Sequence, residues 1–396
     1  MRRSSGAAAG AADVEAVVLR SPGALQAVAP EWDALAASCP RHSAAQTFLW
    51  AWAGWITRAP NDGLCCVTLR QGARLVCVWP FLAAASPALR TLKPLGSGID
   101  EEYGGPLLAT DLEPGRLVAV AWAALRREAD VVLIYNVEAG SPVDVELQRS
   151  SPGCCRQPSA TSFISFEGYA TWKDFTSSRP RKLISDLRRQ NKRLAGLGQL
   201  AFGPIDDPDA IASGVKWMVA QKREWLRANR LESPWLYEAQ AEAFLIRAAT
   251  DAVRPQDPRL GATRLFLLTL DGRNIAAGYI LVNPCSFEFY ITVYDPALEN
   301  YSPGKVLIER LVRWSFERGL PFDFRMAPAA YKERWANRSA WVASFTIAAT
   351  ARGLPRVAAA HVEASVQVAR RAAGSLIRRT IGRSPREFLS KRRSTH

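Results

Sequence analysis

The sequence predicts an α/β (α+β) chain of two tandem mixed-sheet lobes, with flanking helices and a basic helical tail at its C-terminal end. Three observations predict it. Two hairpin-like pairs of apolar runs stand about two hundred residues apart: Leu64 to Phe81, with a turn at Gln71-Gly72, and Leu265 to Leu281, with a turn at Asp271-Gly272. A glycine at such a turn supplies the positive φ that tight hairpins need. Downstream of each pair the same punctuation recurs: Pro114-Gly115-Arg116 opens a helical pattern followed by the strand Val131 to Val137, and Pro303-Gly304-Lys305 opens another followed by a short strand around Asp323. A repeat of this length points to two similarly folded α/β halves. Third, 396 residues with 48% hydrophobic content suffice for two cores.

In chain order, the first lobe is expected over residues 14–155. The boundary falls in the Ser/Pro/Gly/Cys-rich stretch near Ser150 to Ser159. The second lobe is expected over 156–350, with a basic helical insertion over 179–252. Within that insertion, Leu183, Leu187, Leu194 and Leu197 recur at helical spacing, and Gly198 ends the helix. Its polar face carries Arg181, Lys182, Arg188, Arg189, Lys192 and Arg193. Further helices are expected from Asp209 to about Ala228 and from Tyr237 to Ala252. An aromatic-rich strand over Phe287 to Tyr294 then leads to the loop ending in Ser302-Pro303-Gly304-Lys305. The tail, 351–396, reads as one or two basic amphipathic helices with a break near Arg383-Ser384-Pro385.

Charge is unevenly placed. From Pro355 to His396 ten Arg or Lys face two acids, which places +8 of the net +14 in the tail. The body is only mildly basic, so no nucleic-acid partner is expected. The concentrated tail charge suits peripheral contact with an anionic membrane surface. The seven cysteines include two adjacent pairs and no C-x-x-C, a spacing that suits neither a disulfide framework nor a zinc site. No metal is expected, and reduced thiols place the chain in the cytoplasm. Asp13 and Glu15 interrupt the N-terminal apolar stretch, so no secretory leader is expected; no window approaches the roughly 18 uninterrupted apolar residues of a spanning helix, so none is expected.

The segment Tyr294 to Trp335 concentrates the candidate chemistry. Strand, glycine-bearing turn, helix and strand in succession aim backbone N–H groups at a ligand beyond the first strand, a seat for phosphates. Ser302 stands at the N-cap position, with Pro303 first in the helix. Gly304 is costly inside a helix and useful where a ligand approaches the backbone. Contacts to phosphate are expected from Ser302, Gly304 and the Lys305 amide, and the Lys305 ammonium adds a point charge or is merely a solvated helix end. Asp323, in the apolar Phe322-Asp323-Phe324, either accepts a proton from an attacking amine or hydroxyl or is the structural partner of a cation. Tyr331 either protonates a departing thiolate or is a packed aromatic, and Lys332 beside it is catalytic or solvated. Asp100, Glu101, Glu102 and Tyr103 form an acidic aromatic loop that binds a polar acceptor or is a solvated turn. His42, His361 and His396 show no triad logic, so direct transfer is expected rather than an acyl-enzyme.

The chain resembles the CelD-like (BcsL) acetyltransferases of the GNAT superfamily, which are linked by name to bacterial cellulose biosynthesis and related in architecture to Fem-type transferases. The residues that carry the resemblance are the Asp295-Pro296 corner, Tyr301 to Lys305, Asp323-Phe324, Tyr331-Lys332 and Trp335. Upstream, the Arg181 to Arg193 segment and Phe48-Leu49-Trp50 with Trp52 and Trp55 also match, over roughly residues 40 to 350. The resemblance implies a tandem GNAT-like fold and acyl transfer from acetyl-CoA or another acyl-CoA. It places Tyr301, Ser302, Gly304 and Lys305 at the donor's pyrophosphate. It also implies a saccharide or amine acceptor from an envelope or exopolysaccharide precursor. Where the family carries a glycine and acids before its Tyr-Lys, this chain has Arg325-Met326-Ala327-Pro328-Ala329-Ala330. A Fem-type transferase using aminoacyl-tRNA and a non-catalytic accessory of polysaccharide assembly are the alternative expectations.

Overall fold

The computed structural model describes residues 13–381, apart from 85, 87, 99–101, 232, 254–257 and 327–328. The first part of the chain forms β1 (Val14–Leu19), α1 (Pro22–Ala27), α2 (Ala29–Ser38), α3 (Phe48–Thr57), β2 (Gly63–Gln71), β3 (Arg74–Ala84), β4 (Thr91–Pro94), β5 (Leu107–Leu108), α4 (Pro114–Leu125), β6 (Val131–Glu138), α5 (Pro142–Ser150) and β7 (Cys155–Ile164). The middle is helical, as the leucine spacing predicts: α6 (Trp172–Ser177), α7 (Arg181–Ala195), the strand β8 (Leu200–Ile205), α8 (Pro208–Asn229), α9 (Pro234–Tyr237) and α10 (Ala239–Asp251). Then follow β9 (Ala262–Leu270), β10 (Arg273–Asn283), β11 (Ser286–Tyr294), α11 (Pro303–Phe316), β12 (Phe322–Asp323), α12 (Ala330–Trp335), β13 (Arg338–Ala348) and α13 (Leu354–Ile381). The break expected near Arg383 lies outside the described residues, as do Asp100 and Glu101.

One sheet runs through both halves in the order β1-β2-β3-β4-β6-β13-β7-β12-β11-β10-β9-β8. The order reads the same from either edge once like strands are matched. Each half is an antiparallel run of four strands plus a fifth that pairs parallel to the fourth across a helix: β4 with β6 across α4, and β11 with β12 across α11. A parallel neighbour requires such a crossover. The centre is an exchange. β7, which follows the first half, pairs with β12, and β13, which follows the second, pairs with β6. β7 and β13 also pair with each other along their length, from Arg338↔Phe163 to Thr346↔Cys155.

The hairpin turns obey the sequence. Asp271 and Gly272 both have positive φ, 48° and 78°, as a tight two-residue connection demands. Alternation along β9 sends Leu265 and Leu267 to one face and Phe266 and Leu268 to the other. The first face packs on α8 and α10 through Ile211, Val215, Phe244 and Leu245. The second packs on α7 and α11 through Leu183, Leu187, Leu194, Val306, Leu307 and Leu311. Leu197, expected on the α7 stripe, lies beyond the helix end and is exposed. Five of the seven cysteines are buried and all are free thiols; burial pushes Cys65 up to about 12.

Candidate active site

α11 projects its N-terminus from the end of β11 through the Asp295-Pro296 corner. Asp295 Oδ1 accepts from Ala297 N–H at 2.9 Å, which starts the short turn Pro296–Tyr301. Ser302 then takes a left-handed conformation, φ 53°, and stands at the N-cap of α11, but its side chain makes no capping hydrogen bond. The expected hydroxyl cap is therefore not formed: in this conformation the backbone supplies the turn, and the hydroxyl is left over. Lys305 N–H donates to Ser302 O at 3.0 Å and Val306 N–H to the same oxygen at 3.3 Å. Pro303 has no N–H. Among the described residues, the Gly304 amide alone remains open at this end, so the expected Lys305 amide drops out and the Ser302 hydroxyl, the Gly304 N–H and the exposed Lys305 ammonium remain. No acid lies in the first turn, a bias that leaves the positive end of the helix dipole for an external anion. Gly304 also has a packing reason, because a Cβ there would stand 3.1 Å from Tyr294 Cδ1. Tyr301 flanks the mouth, with the Arg193 guanidinium of α7 5.1 Å above its ring.

The first half's matching helix is filled by the protein itself. Glu113 caps α4, its carboxylate accepting from Gly115 N–H at 2.8 Å and Arg116 N–H at 2.5 Å. The gap where β4 and β6 part is closed as well: Gly104 N–H donates to Tyr135 O at 2.8 Å, and Trp79 Nε1–H to Gly104 O at 2.9 Å.

The corresponding gap between β11 and β12 holds a polar cluster that the sequence did not reveal. These strands pair only at Phe287↔Phe322 and Glu288↔Asp323. Beyond that point Arg325, at φ 59°, turns its side chain inward to an ion pair with Glu288, both 3% exposed. Glu288 also accepts from Ser43 Oγ–H at 2.9 Å and from Asn283 Nδ2–H. Burial pushes the Glu288 carboxyl up from its ordinary range, and Arg325 pulls it back toward the ion. The Arg325 guanidinium lies 4.7 Å over the Tyr103 ring and 5.1 Å over that of Tyr290.

Asp323 stands at the edge of this cluster, half-buried. Tyr103 Oη donates to its Oδ2 at 2.6 Å, and Arg325 N–H donates to its Oδ1 at 2.6 Å. Glu102, beside Tyr103, is buried and not a solvated turn residue. It accepts from Ser97 N–H at 2.8 Å, from Ser97 Oγ–H, from Trp50 Nε1–H at 3.2 Å and from Tyr290 Oη–H at 3.3 Å. Burial raises its carboxyl, and the Ser97 and Trp50 donors oppose the rise. Tyr331 packs edge-on to Phe324 with centroids 6.0 Å apart. Lys332 is buried, its ammonium donating to Phe324 O at 2.8 Å and Met326 O at 2.6 Å. It therefore clamps the backbone on either side of Arg325 rather than standing in solvent. A separate groove of about 730 Å³ runs between α7 and α11, past Trp172, Arg188, Arg313 and Trp314, and none of the expected site residues lines it.

Residues 181–333 match the family model described as Acetyltransferase (GNAT) domain. The chain is thus an acyltransferase by domain class, with a tandem α/β architecture. Among solved structures, it is similar to FemX at 12% identity, over 80% of this chain and 95% of that one, with a TM-score of 0.54. It is also similar to L-PGS from Bacillus licheniformis at 14% identity, over 86% of this chain and 96% of that one, with a TM-score of 0.51. At such identities the likeness is one of fold. No curated protein matches the chain in sequence.

Proposed function

We propose that this chain transfers an acyl group from acetyl-CoA or another acyl-CoA to an amine or hydroxyl of a saccharide or cell-envelope precursor, in cellulose or exopolysaccharide assembly. The observation that carries the reading is the open end of α11: a free hydroxyl at Ser302, a free amide at Gly304 and the Lys305 charge, with no acid in the helix's first turn. That donor set suits a diphosphate. Tyr301 forms its wall.

In this reading residues 156–350 hold the donor and residues 14–155 supply a supporting lobe. Asp323 takes the proton of the attacking amine or hydroxyl, and Tyr331 returns one to the departing thiolate. Lys332 acts through its two carbonyl contacts, fixing the Phe324–Met326 backbone that carries Arg325. The acyl group passes directly from donor to acceptor, and the protein contributes position and proton transfer. The basic tail, 351–396, gives the chain peripheral attachment to an anionic membrane; no helix among the described residues is long and apolar enough to cross one. A panel of CoA thioesters in a thermal-shift assay, followed by thiol release with amino sugars and hydroxyl sugars, tests the assignment. A shift with CoA and thiol release dependent on an acceptor support it; no shift with any thioester overturns it.

The second reading is an aminoacyl-tRNA-dependent transferase, favoured by the exposed basic face of α7, where Arg181, Lys182, Arg188, Arg189 and Lys192 face solvent. Retention of tRNA at moderate salt, with no response to CoA, would select it.

A further inference from the structure

The segment that closes the first half's gap also reaches into the second half's centre. Its direction is fixed by three bonds: Gly104 N–H to Tyr135 O at 2.8 Å, Trp79 Nε1–H to Gly104 O at 2.9 Å, and Asn136 Nδ2–H to Glu102 O at 3.0 Å. Gly104 is required there, since a Cβ would lie 2.8 Å from Tyr135 O. Anchored between Glu102 and Gly104, Tyr103 is directed across the seam. Its hydroxyl meets Asp323 Oδ2 at 2.6 Å, while Arg325 N–H holds Oδ1 at the same distance. Among the described residues, each carboxylate oxygen therefore has one donor, one from each half, which leaves it capacity to accept another. The ring is held between this bond and the Arg325 guanidinium, which Glu288 fixes in turn. Burial, with the Asp323 carboxylate beside it, pushes the Tyr103 phenol well above its ordinary range, so the hydroxyl stays a donor at neutral pH.

We propose that Tyr103 is a positioning residue of the transfer site, lent by the half that holds no donor, and that it aims the Asp323 carboxylate at the acceptor. This rests on the reading of Asp323 as the base. In the step, the acceptor's N–H or O–H proton passes to Asp323 as the new N–C or O–C bond forms. The C–S bond breaks, and the leaving thiolate takes the Tyr331 proton. Solvent then removes the proton from Asp323 and restores that of Tyr331. Tyr103 keeps its own proton throughout.

Tyr103→Phe removes the hydroxyl and leaves the ring, its packing and its stack with Arg325. The expected result is a CoA dissociation constant within about twofold of the parent, an unchanged KM for the thioester, and kcat lower by about tenfold or more, as for a displaced base. Asp323→Asn separates positioning from general support. If Tyr103 acts through Asp323, the Tyr103→Phe change costs nothing further in the Asp323→Asn background. A parent that binds CoA and turns over, with Tyr103→Phe as fast as the parent, overturns this proposal alone, as do losses in the two variants that simply multiply. A parent that binds no CoA overturns it together with the donor reading beneath it.

Discussion

The two helix mouths carry the same punctuation and opposite contents. At α4 the cap residue is Glu113, whose carboxylate takes both free amides of the first turn. At α11 the cap residue is Ser302, whose hydroxyl takes none. A helix N-terminus attracts an anion whatever its source. In the first half the protein supplies that anion itself; in the second the helix's first turn carries no acid, and the proposed function gives that place to the donor's diphosphate. The gaps beside the helices differ in the same sense. Bonds from the Gly104 backbone to Tyr135 O and to the Trp79 indole N–H close the first, whereas the second is bordered by a buried ion pair and a half-buried Asp323. Under the proposed function, a repeated frame divides labour: one copy keeps the donor seat, and the other becomes a wall of the site.

The ion pair gives the largest expected effect. Arg325→Met leaves Glu288 buried without its cation and should cost about 3–5 kcal/mol, read as a lower denaturation midpoint. The double variant Arg325→Met with Glu288→Gln should recover part of that loss, because no buried charge then remains unpaired. A double variant no more stable than the single would show that packing, not charge, governs this gap.

The mouths themselves can be exchanged. Ser302→Glu imports the first half's self-capping carboxylate and should weaken CoA binding by about tenfold, since a like charge then sits where the diphosphate belongs. This substitution is cleaner than a bulky residue at 304, where the Tyr294 ring would be displaced regardless of any ligand. In the other direction, Glu113→Ala removes a carboxylate cap and should cost about 1 kcal/mol of stability in thermal unfolding without creating a second CoA site.

The smallest effect lies at the seam. Asp130 opens β6 and accepts from Thr350 Oγ–H at 2.7 Å and Arg90 N–H at 3.0 Å, joining the first half to the chain beyond β13. The Thr350 hydroxyl, then the Arg90 amide and guanidinium, pull its carboxyl down to about 2. Because the folded value lies below the ordinary one, the stabilisation is complete above about pH 4 and is lost as pH falls through about 2. Asp130→Asn should therefore be less stable than the parent at neutral pH, and the gap in melting temperature should close as the pH drops toward 2.

Much of the frame was legible because it is local. The Asp271-Gly272 turn, the α7 leucine stripe through Leu194 and the opening of α11 at Pro303 are each fixed by neighbours in sequence. α7 ends at Ala195, capped by Gly196, rather than at Gly198; Gly198 is needed because a Cβ there would strike the Asp271 carboxylate. The strand exchange was not legible, since β7 and β13 find partners more than a hundred residues away and carry no local signal of which edge they will join. Glu102 and Tyr103 sit in an acidic run that reads as surface, and only the packing of Trp50, Ser97 and Tyr290 around them makes it interior. Nor does the sequence announce that Arg325 will meet Glu288. The one clue was its place in the segment where the resembled family carries a glycine and acids.

Calorimetric titration with coenzyme A of the parent, Ser302→Glu and Glu113→Ala tests the division of labour most directly. The parent should show one site per chain, Ser302→Glu a site weakened by about tenfold, and Glu113→Ala one undiminished site. A flat parent titration at millimolar ligand, or equal affinity in the parent and Ser302→Glu, would contradict it.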